Sequence, residues 1–263
     1  MDKTRTVMTF SGHDPCGGAG LQADIEALAS QGCHTTPVIT ALTVQNTHDI
    51  VAFKPVDADH VMAQARAVLE DIPVGIFKIG LTGSVENVQA IHTLLQAYPD
   101  IPVVLDPVLA TGAGTQLGEP GLPEAISQLL LPHATVATPN SVETRQLAPA
   151  AETLDAAAIA LLERGAEFVL VTGTHVDTPT VINTLYQGHA QLESFTWERL
   201  PHSYHGSGCT LAATIAGMLA HGLDPFQACL EAQEYTWNTL KNGHRPGQGQ
   251  YLSNRLFWSG EER

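Results

Sequence analysis

An open α/β fold, a mostly parallel sheet covered by helices, is what this sequence predicts, and three observations predict it. Short apolar runs closed by turn residues alternate with segments whose apolar residues return every three or four positions. Two glycine-rich segments, 11–20 and 205–210, each lead straight into an apolar helical segment. Late in the chain the pattern changes to two alternating runs around Gln187-Gly188-His189, which read as an antiparallel hairpin at one edge of the sheet.

The strands are expected, in order, at 6–10, 36–40, 75–79, 102–106, 135–138 and 168–172, with the hairpin at 181–186 and 191–200. Each of the first six is short and rich in Val, Ile, Phe or Thr, as a strand buried on both faces requires. Helices are expected between them, over Leu21, Ile25, Leu28 and Ala29 and over 58–70, where the apolar period is that of one helix face. Two more close the chain, one opening near Cys209 with Leu211, Ile215, Met218 and Leu219 on one face, the other over 224–241. The glycine-rich stretch 242–250 reads as a surface loop or a lid. No repeat and no linker interrupts the pattern, so 1–263 reads as a single domain, large enough to bury about three quarters of its unfolded surface.

Charge narrows the function. Twelve basic against 27 acidic residues, a formal charge of -15, would repel nucleic acid and anionic membrane surfaces, so neither partner is expected. Only Lys3, Lys54, Lys78 and Lys241 are lysines, which leaves open a salt-rich cytoplasm or ordinary acidic solubility. Cys16, Cys33, Cys209 and Cys229 form no CxxC pair, so reduced thiols, a cytoplasmic location and no zinc site are expected. No run approaches the roughly 20 apolar residues of a membrane span, and residues 1–9 are too polar for a signal segment.

Three motifs carry chemistry. Ser11-Gly12-His13-Asp14-Pro15-Cys16-Gly17-Gly18-Ala19-Gly20 follows a strand and opens a helix; it is a tight structural turn or a loop whose glycines admit a ligand close to the backbone. His205-Gly206-Ser207-Gly208-Cys209-Thr210 opens the next-to-last helix, whose free N–H groups make an anion site suited to a phosphoryl group. Two readings are open for Cys209 there: a small buried hydrophobe, or a thiol whose pKa the helix start lowers until a thiolate is available at neutral pH. In Thr138-Pro139-Asn140-Ser141-Val142-Glu143, Asn140 is a helix cap, and Glu143 is either a first-turn acid or, with Asp106 at a strand end, a carboxylate for magnesium. His13, His175 and His205 lack ligand spacing for a transition metal, and Phe195, Trp197 and Tyr204 read as packing residues.

Taken together, the stretches 12–24, 39–47, 77–84, 104–108, 138–143 and 205–211 resemble, in order and spacing, the hydroxymethylpyrimidine/phosphomethylpyrimidine kinases of thiamine biosynthesis, within the ribokinase-like superfamily. The resemblance implies a ribokinase-like three-layer α/β/α domain, ATP and Mg2+ as cofactors, a small-molecule pyrimidine as substrate, and a homodimer. It places the pyrimidine against the loop containing Gly12, Asp14 and Ala19 and against Gln45, whose amide has the donor and acceptor to read a ring nitrogen and an amino group. Val44 and Leu81 become apolar walls. Asp106 and Glu143 become metal ligands, and Asn140, Thr172 and Gly173 nucleotide contacts. Gly206, Ser207 and Gly208 form the anion hole, with Cys209 in the position of the catalytic base. Where that family has Lys-Gly-Gly-His, this chain reads Thr172-Gly173-Thr174-His175, so a lysine that would meet nucleotide phosphate is a hydroxyl here. Its charge would have to come from an arginine or from Lys78.

Two rival readings follow from the same residues: a pyridoxal kinase, whose substrate is a pyridine bearing a hydroxymethyl group, and a non-catalytic pyrimidine-binding or regulatory protein that lost activity with the lysine. Gln45 favours the aminopyrimidine, and the retained phosphate loop favours a kinase.

Overall fold

The computed structural model describes residues 5–111, 114–173 and 178–260. The chain runs β1 (Thr6–His13), α1 (Gly20–Ser30), β2 (His34–Gln45), β3 (Ile50–Pro55), α2 (Ala58–Leu69), β4 (Ile76–Ile79), α3 (Val85–Ala97) and β5 (Val103–Leu105). After α4 (Leu122–Ala125) and a π turn come β6 (Val136–Ala137), α5 (Ser141–Leu147), α6 (Leu154–Glu163), β7 (Phe168–Val171), β8 (Thr180–Gln187) and β9 (Ala190–Glu198). A short β10 (Tyr204–His205), α7 (Ser207–Ala220), α8 (Pro225–Lys241) and β11 (Tyr251–Leu252) complete it.

Nine strands form one sheet in the order β3-β2-β1-β4-β5-β6-β7-β8-β9. The six from β2 to β7 are parallel, and antiparallel strands lie at both edges. Strand alternation divides the core: Met8, Phe77, Val103, Leu105 and Val169 pack under α2, α3, α5 and α6, while Val7, Ile76, Val104, Phe168 and Leu170 pack under α1, α7 and α8. The expected three-layer α/β/α arrangement is therefore present, and the hairpin turns at Gly188, whose φ of 64° suits a glycine.

Three strands were not expected: β3 in the main sheet and the short pair β10 and β11. β3 escapes a periodicity reading because none of its residues is buried and it ends in Pro55; it adds a second antiparallel edge beside β2, which is longer than its apolar run suggested. The stretch 242–250 is no free loop, since Gln250 N–H donates to Thr47 O (2.7 Å) and Gly249 N–H to Thr47 Oγ1 (3.0 Å). No helix among the described residues is long and apolar enough to cross a membrane.

The chain leaves β1 towards β2 on one side and β4 towards β5 on the other, so the carboxyl ends of β1 and β4 flank the point where an open sheet leaves a crevice. Beneath it Lys78 of β4, with no exposed surface, pairs with Asp24 of α1 at 2.9 Å, and Ser11 Oγ donates to the same carboxylate at 2.5 Å. Burial works against the Lys78 ammonium, but the charge of Asp24 foremost, with that of Asp106 and the Asp24 hydrogen bond, outweighs it and raises its pKa. Removing one partner leaves a buried charge alone, so Lys78→Met is expected to cost roughly 3–5 kcal/mol in urea unfolding. Lys78→Met combined with Asp24→Leu should recover much of that loss; a double variant as weak as the single one would show that the pair is not what Lys78 contributes.

Candidate active site

A cavity of about 530 Å³ opens over the carboxyl ends of the parallel strands. At one end lie Gly12, Asp14 and Ala19 of the first glycine loop, Gln45 at the end of β2, and the apolar Leu81, Ile50 and Leu117. In the middle, Gly206, Ser207, Gly208 and Cys209 face Asp106 and Glu143. At the far end are Asn140, Thr172, Trp197, Arg199 and Trp237.

The sequence explains each placement. Asp14 turns the first glycine loop back on itself, its carboxylate accepting from the amides of Cys16 (2.8 Å), Gly18 (2.9 Å) and Ala19 (2.8 Å) and meeting His205 Nε2 at 2.9 Å. Burial alone would raise its pKa, but the His205 contact and those amides outweigh it and hold it below the usual carboxylate value. Asp14 thus lines the cavity with a carboxylate engaged in joining the two loops. Gly206 begins α7 at φ 81°, and no side chain caps that helix, so its first N–H groups face the cavity. Gln45 donates to Thr43 Oγ1 at 2.7 Å and is half-buried at the cavity wall.

Asn140 caps α5 through the amides of Val142 and Glu143, both at 2.9 Å, and Glu143 closes the capping box by accepting from Asn140 N at 2.9 Å. Cap and acid are therefore one motif, with Glu143 turned inward and 5% exposed. Burial and the charge of Asp106 push the Glu143 pKa up to about 8, against the amides of Asn140 and Leu109. Burial and Asp24 push Asp106 up to about 6, against Lys78 and the Cys209 thiol. One buried Asp106 oxygen has no hydrogen-bond partner. Two buried carboxylates with raised pKa values, Glu143 pushed up in part by the charge of Asp106 and Asp106 carrying an orphaned oxygen, make a site short of positive charge, which fits a hard divalent cation held by two carboxylates. No larger cluster of His, Cys, Asp and Glu suited to a metal occurs among the described residues.

Three expectations need correction. Val44 is no wall of the cavity: strand alternation turns Thr43 and Gln45 inward and leaves Val44 61% exposed on the opposite face, so Ile50 and Leu117 supply the apolar surface with Leu81. Gly173 does not line the cavity, because its N–H donates to Asn183 Oδ1 (3.0 Å) and its α-carbon lies so close to β8 that a Cβ would fall 2.0 Å from Ile182 O. Thr174 and His175 lie outside the described residues. The lowered thiol pKa, one of the two readings open at Cys209, is reversed: burial first, then Asp106 and Asp24, push it up to about 12, against Lys78 and the Gly20 amide. A helix N-terminus lowers a thiol pKa only where nearby carboxylates do not outweigh it.

Other residues at the site carry no motif. Trp197 and Tyr204 line the cavity, while Phe195 packs on Phe226 as expected of a core residue. Arg199, half-buried, is the one Lys or Arg among the described residues that line the cavity; its Nε donates to Thr178 O at 2.7 Å. Lys78 is held by Asp24 below the cavity floor, so it does not replace the family lysine.

Comparison with known proteins points the same way. The family model described as phosphomethylpyrimidine kinase matches residues 14–254. A hydroxymethylpyrimidine/phosphomethylpyrimidine kinase of Rhizobium meliloti is 34% identical over 252 residues, covering 94% of each chain. The thiamine biosynthesis bifunctional protein ThiED of Geobacter sulfurreducens is 34% identical over 257 residues, and this chain, 96% covered, spans 52% of that protein's length. Among solved structures, the pyridoxal kinase of Staphylococcus aureus in complex with pyridoxal is similar with a TM-score of 0.88 at 26% identity, over 98% of this chain and 95% of that one. The phosphomethylpyrimidine kinase of Clostridium difficile 630 is similar with a TM-score of 0.77 at 30% identity, over 89% and 98%.

Two outcomes follow from the site's electrostatics. Because Asp106 and Glu143 titrate at about 6 and about 8 when folded and near ordinary carboxylate values when unfolded, the folded chain binds more protons between roughly pH 4 and 8. Stability contributed by the pair is therefore present at the acid end of that window and lost as pH rises. In EDTA, Asp106→Asn should flatten the fall of the urea midpoint across the window, and an unchanged slope would contradict the assignment. Burial raises all four thiols, with Cys16 about 11 and Cys209 and Cys229 about 12. Iodoacetamide at pH 7 should then label no cysteine rapidly, Cys209 included, and a fast Cys209 adduct by peptide mass spectrometry would show a thiolate after all.

Proposed function

This chain belongs to the phosphomethylpyrimidine kinase family, and from that premise we propose that it transfers the γ-phosphate of ATP within thiamine biosynthesis. The acceptor is 4-amino-5-hydroxymethyl-2-methylpyrimidine, through its hydroxymethyl oxygen, or the monophosphate of that pyrimidine. The observation that carries this reading is the order of groups along one cavity: an amide reader at Gln45, an uncapped helix start with Cys209 and two carboxylates in the middle, and aromatic and polar walls with Arg199 beyond.

In this reading the pyrimidine lies between the Gly12 loop, Gln45 and Leu81, and its reacting oxygen points at the start of α7. The N–H groups of Ser207, Gly208 and Cys209 receive the transferring phosphoryl group, whose loose transition state gains most from alignment and fixed dipoles. The acceptor oxygen forms its bond to phosphorus as the bond to the bridging oxygen of ADP breaks. Asp106 and Glu143 hold Mg2+, which supplies charge neutralisation of the phosphates. Cys209 takes the acceptor proton only as thiolate; Lys78 favours that form, Asp106 opposes it, and neutralising the Asp106 charge brings the thiol down. Asn140 and Thr172 contact the nucleotide, and Arg199 meets its phosphates with the charge that Thr172 lacks.

We extend the reading to one kinase domain over 1–263 working in the cytoplasm with reduced thiols, and to a homodimer. Support for the dimer is the apolar surface of Leu42, Val44 and Val51 on β2 and β3, 48%, 61% and 75% exposed.

The test is ADP release with ATP and magnesium, offering the hydroxymethylpyrimidine, its monophosphate and pyridoxal separately. Turnover with either pyrimidine is expected. Turnover with pyridoxal alone would promote the activity named for the Staphylococcus aureus neighbour, and silence with all three would favour a non-catalytic binder. In the same assay Arg199→Ala should raise the KM for ATP at least tenfold while moving the pyrimidine KM less than threefold; an unchanged ATP KM would remove the phosphate role.

A further inference from the structure

Arg255, near the end of the described chain, is 2% exposed and is the largest fully buried side chain among the described residues. A buried guanidinium costs several kcal/mol to desolvate unless its donors are met, so its partners state its purpose. Nε donates to Thr210 Oγ1 at 2.9 Å, Nη1 to Glu26 Oε2 at 3.0 Å, and Nη2 to the Gly18 carbonyl. Two of these acceptors belong to the first glycine loop and to the first turn of α7, segments whose neighbouring residues line the cavity, though Arg255 itself does not.

The Thr210 contact continues inward. Its hydroxyl, accepting from Arg255, donates to Gly206 O at 2.8 Å, so the guanidinium reaches the residue that sets the start of α7 through one relay. Gly206 stands at φ 81°, and a Cβ there would fall 1.9 Å from Gly18 O, the same oxygen that accepts from Arg255. The two glycine loops therefore touch backbone to backbone, and Arg255 binds both sides of the contact. Asp14 grips Gly18 by its N–H; Arg255 grips it by its carbonyl.

The C-terminal segment delivers the guanidinium. β11 pairs with β10 in register, Tyr204 with Tyr251 and His205 with Leu252. Beyond it Asn254 N–H donates to Thr239 O at 3.0 Å, and Tyr235 OH donates to the Arg255 carbonyl at 2.6 Å. The backbone of Arg255 is thus fixed before its side chain enters the loops.

We infer that Arg255 is a positioning residue for phosphoryl transfer, locking the Gly18 loop and the Gly206–Cys209 loop into one rigid anion cradle. The inference rests on the kinase reading for its kinetic outcome and on the ligand-free fold for its structural one. A planar fork is required because three acceptors diverge, and an ammonium, a point charge on a flexible stem, cannot hold all three in one geometry. Misplacing a reacting group by about 1 Å can cost 10²-fold in rate. Loosening the cradle should therefore lower kcat rather than weaken ground-state binding.

The experiment compares Arg255→Lys, Arg255→Gln, Thr210→Val and Glu26→Gln by steady-state kinetics and by amide hydrogen exchange of the ligand-free protein. Expected for the first three is a kcat lowered by about tenfold or more with KM values within about threefold, and faster exchange over 206–210 and 17–20. Glu26→Gln, which alters only the 47%-exposed outer partner, should stay within twofold of the parent in kcat. Thr210→Val keeps Arg255 and breaks only the relay, so it decides the matter if the Arg255 variants fail to fold. A folded Arg255→Lys or Thr210→Val protein with parental kcat and parental exchange would overturn the inference, as would a Glu26→Gln loss equal to that of Arg255→Gln. A parent protein that turns over no substrate would sink the kinase reading instead, and the exchange comparison would still judge the cradle.

Discussion

A lysine with no exposed surface, set under the crevice of a parallel sheet, is the charge around which this site is organised. Lys78 pairs with Asp24, and through that pair α1 is fastened to β4 directly below the first glycine loop. Its field also reaches Asp106 and Cys209, favouring the charged form of each. Without it three acidic groups would face one another in a low dielectric, where like charges cannot all ionise. With it the site is still short of positive charge, as the raised values of Asp106 and Glu143 record. That shortage is what a divalent cation arriving with an anionic nucleotide would relieve.

Above this pair the geometry is set by backbone rather than by side chains. The two glycine loops meet at Gly18 and Gly206 with no room for a Cβ between them, which brings the start of α7 beside the first loop. Hydrogen bonds from distant segments then hold the junction: Asp14 to His205 on one side, Arg255 to Gly18 and Thr210 on the other. Flexibility that glycine allows in a free loop is removed by tertiary contacts, which suits a reaction whose rate depends on alignment.

Local and global charge act in opposite senses. The chain carries a formal charge of -15, which discourages contact with long polyanions, yet the cavity is lined by an uncapped helix start and by Arg199.

The sequence by itself determined the layers and the two loops. Strands such as 103–105 and 168–171 are buried on both faces, so their apolar runs are unbroken and unmistakable, and a glycine-rich turn between strand and helix has few other uses. Asp106, Asn140, Glu143 and Cys209 stand out locally, beside a strand end or a helix start, whereas Gln45 was singled out by the family resemblance, since β2 runs past its apolar stretch; all five line one cavity. Tertiary structure alone decided the rest. β3 is half-exposed and carries no period; Val44 faces outward because strand register, not residue type, chooses the face; Gly173 is spent on the neighbouring strand. The protonation of Cys209 depends on carboxylates 103 and 185 positions away in sequence, at Asp106 and Asp24, and the role of Arg255 on a carbonyl 237 positions away. Local pattern fixes which elements form, because propensity and capping act over a few residues; charge and hydrogen bonding act through space, and only the folded chain says who the neighbours are.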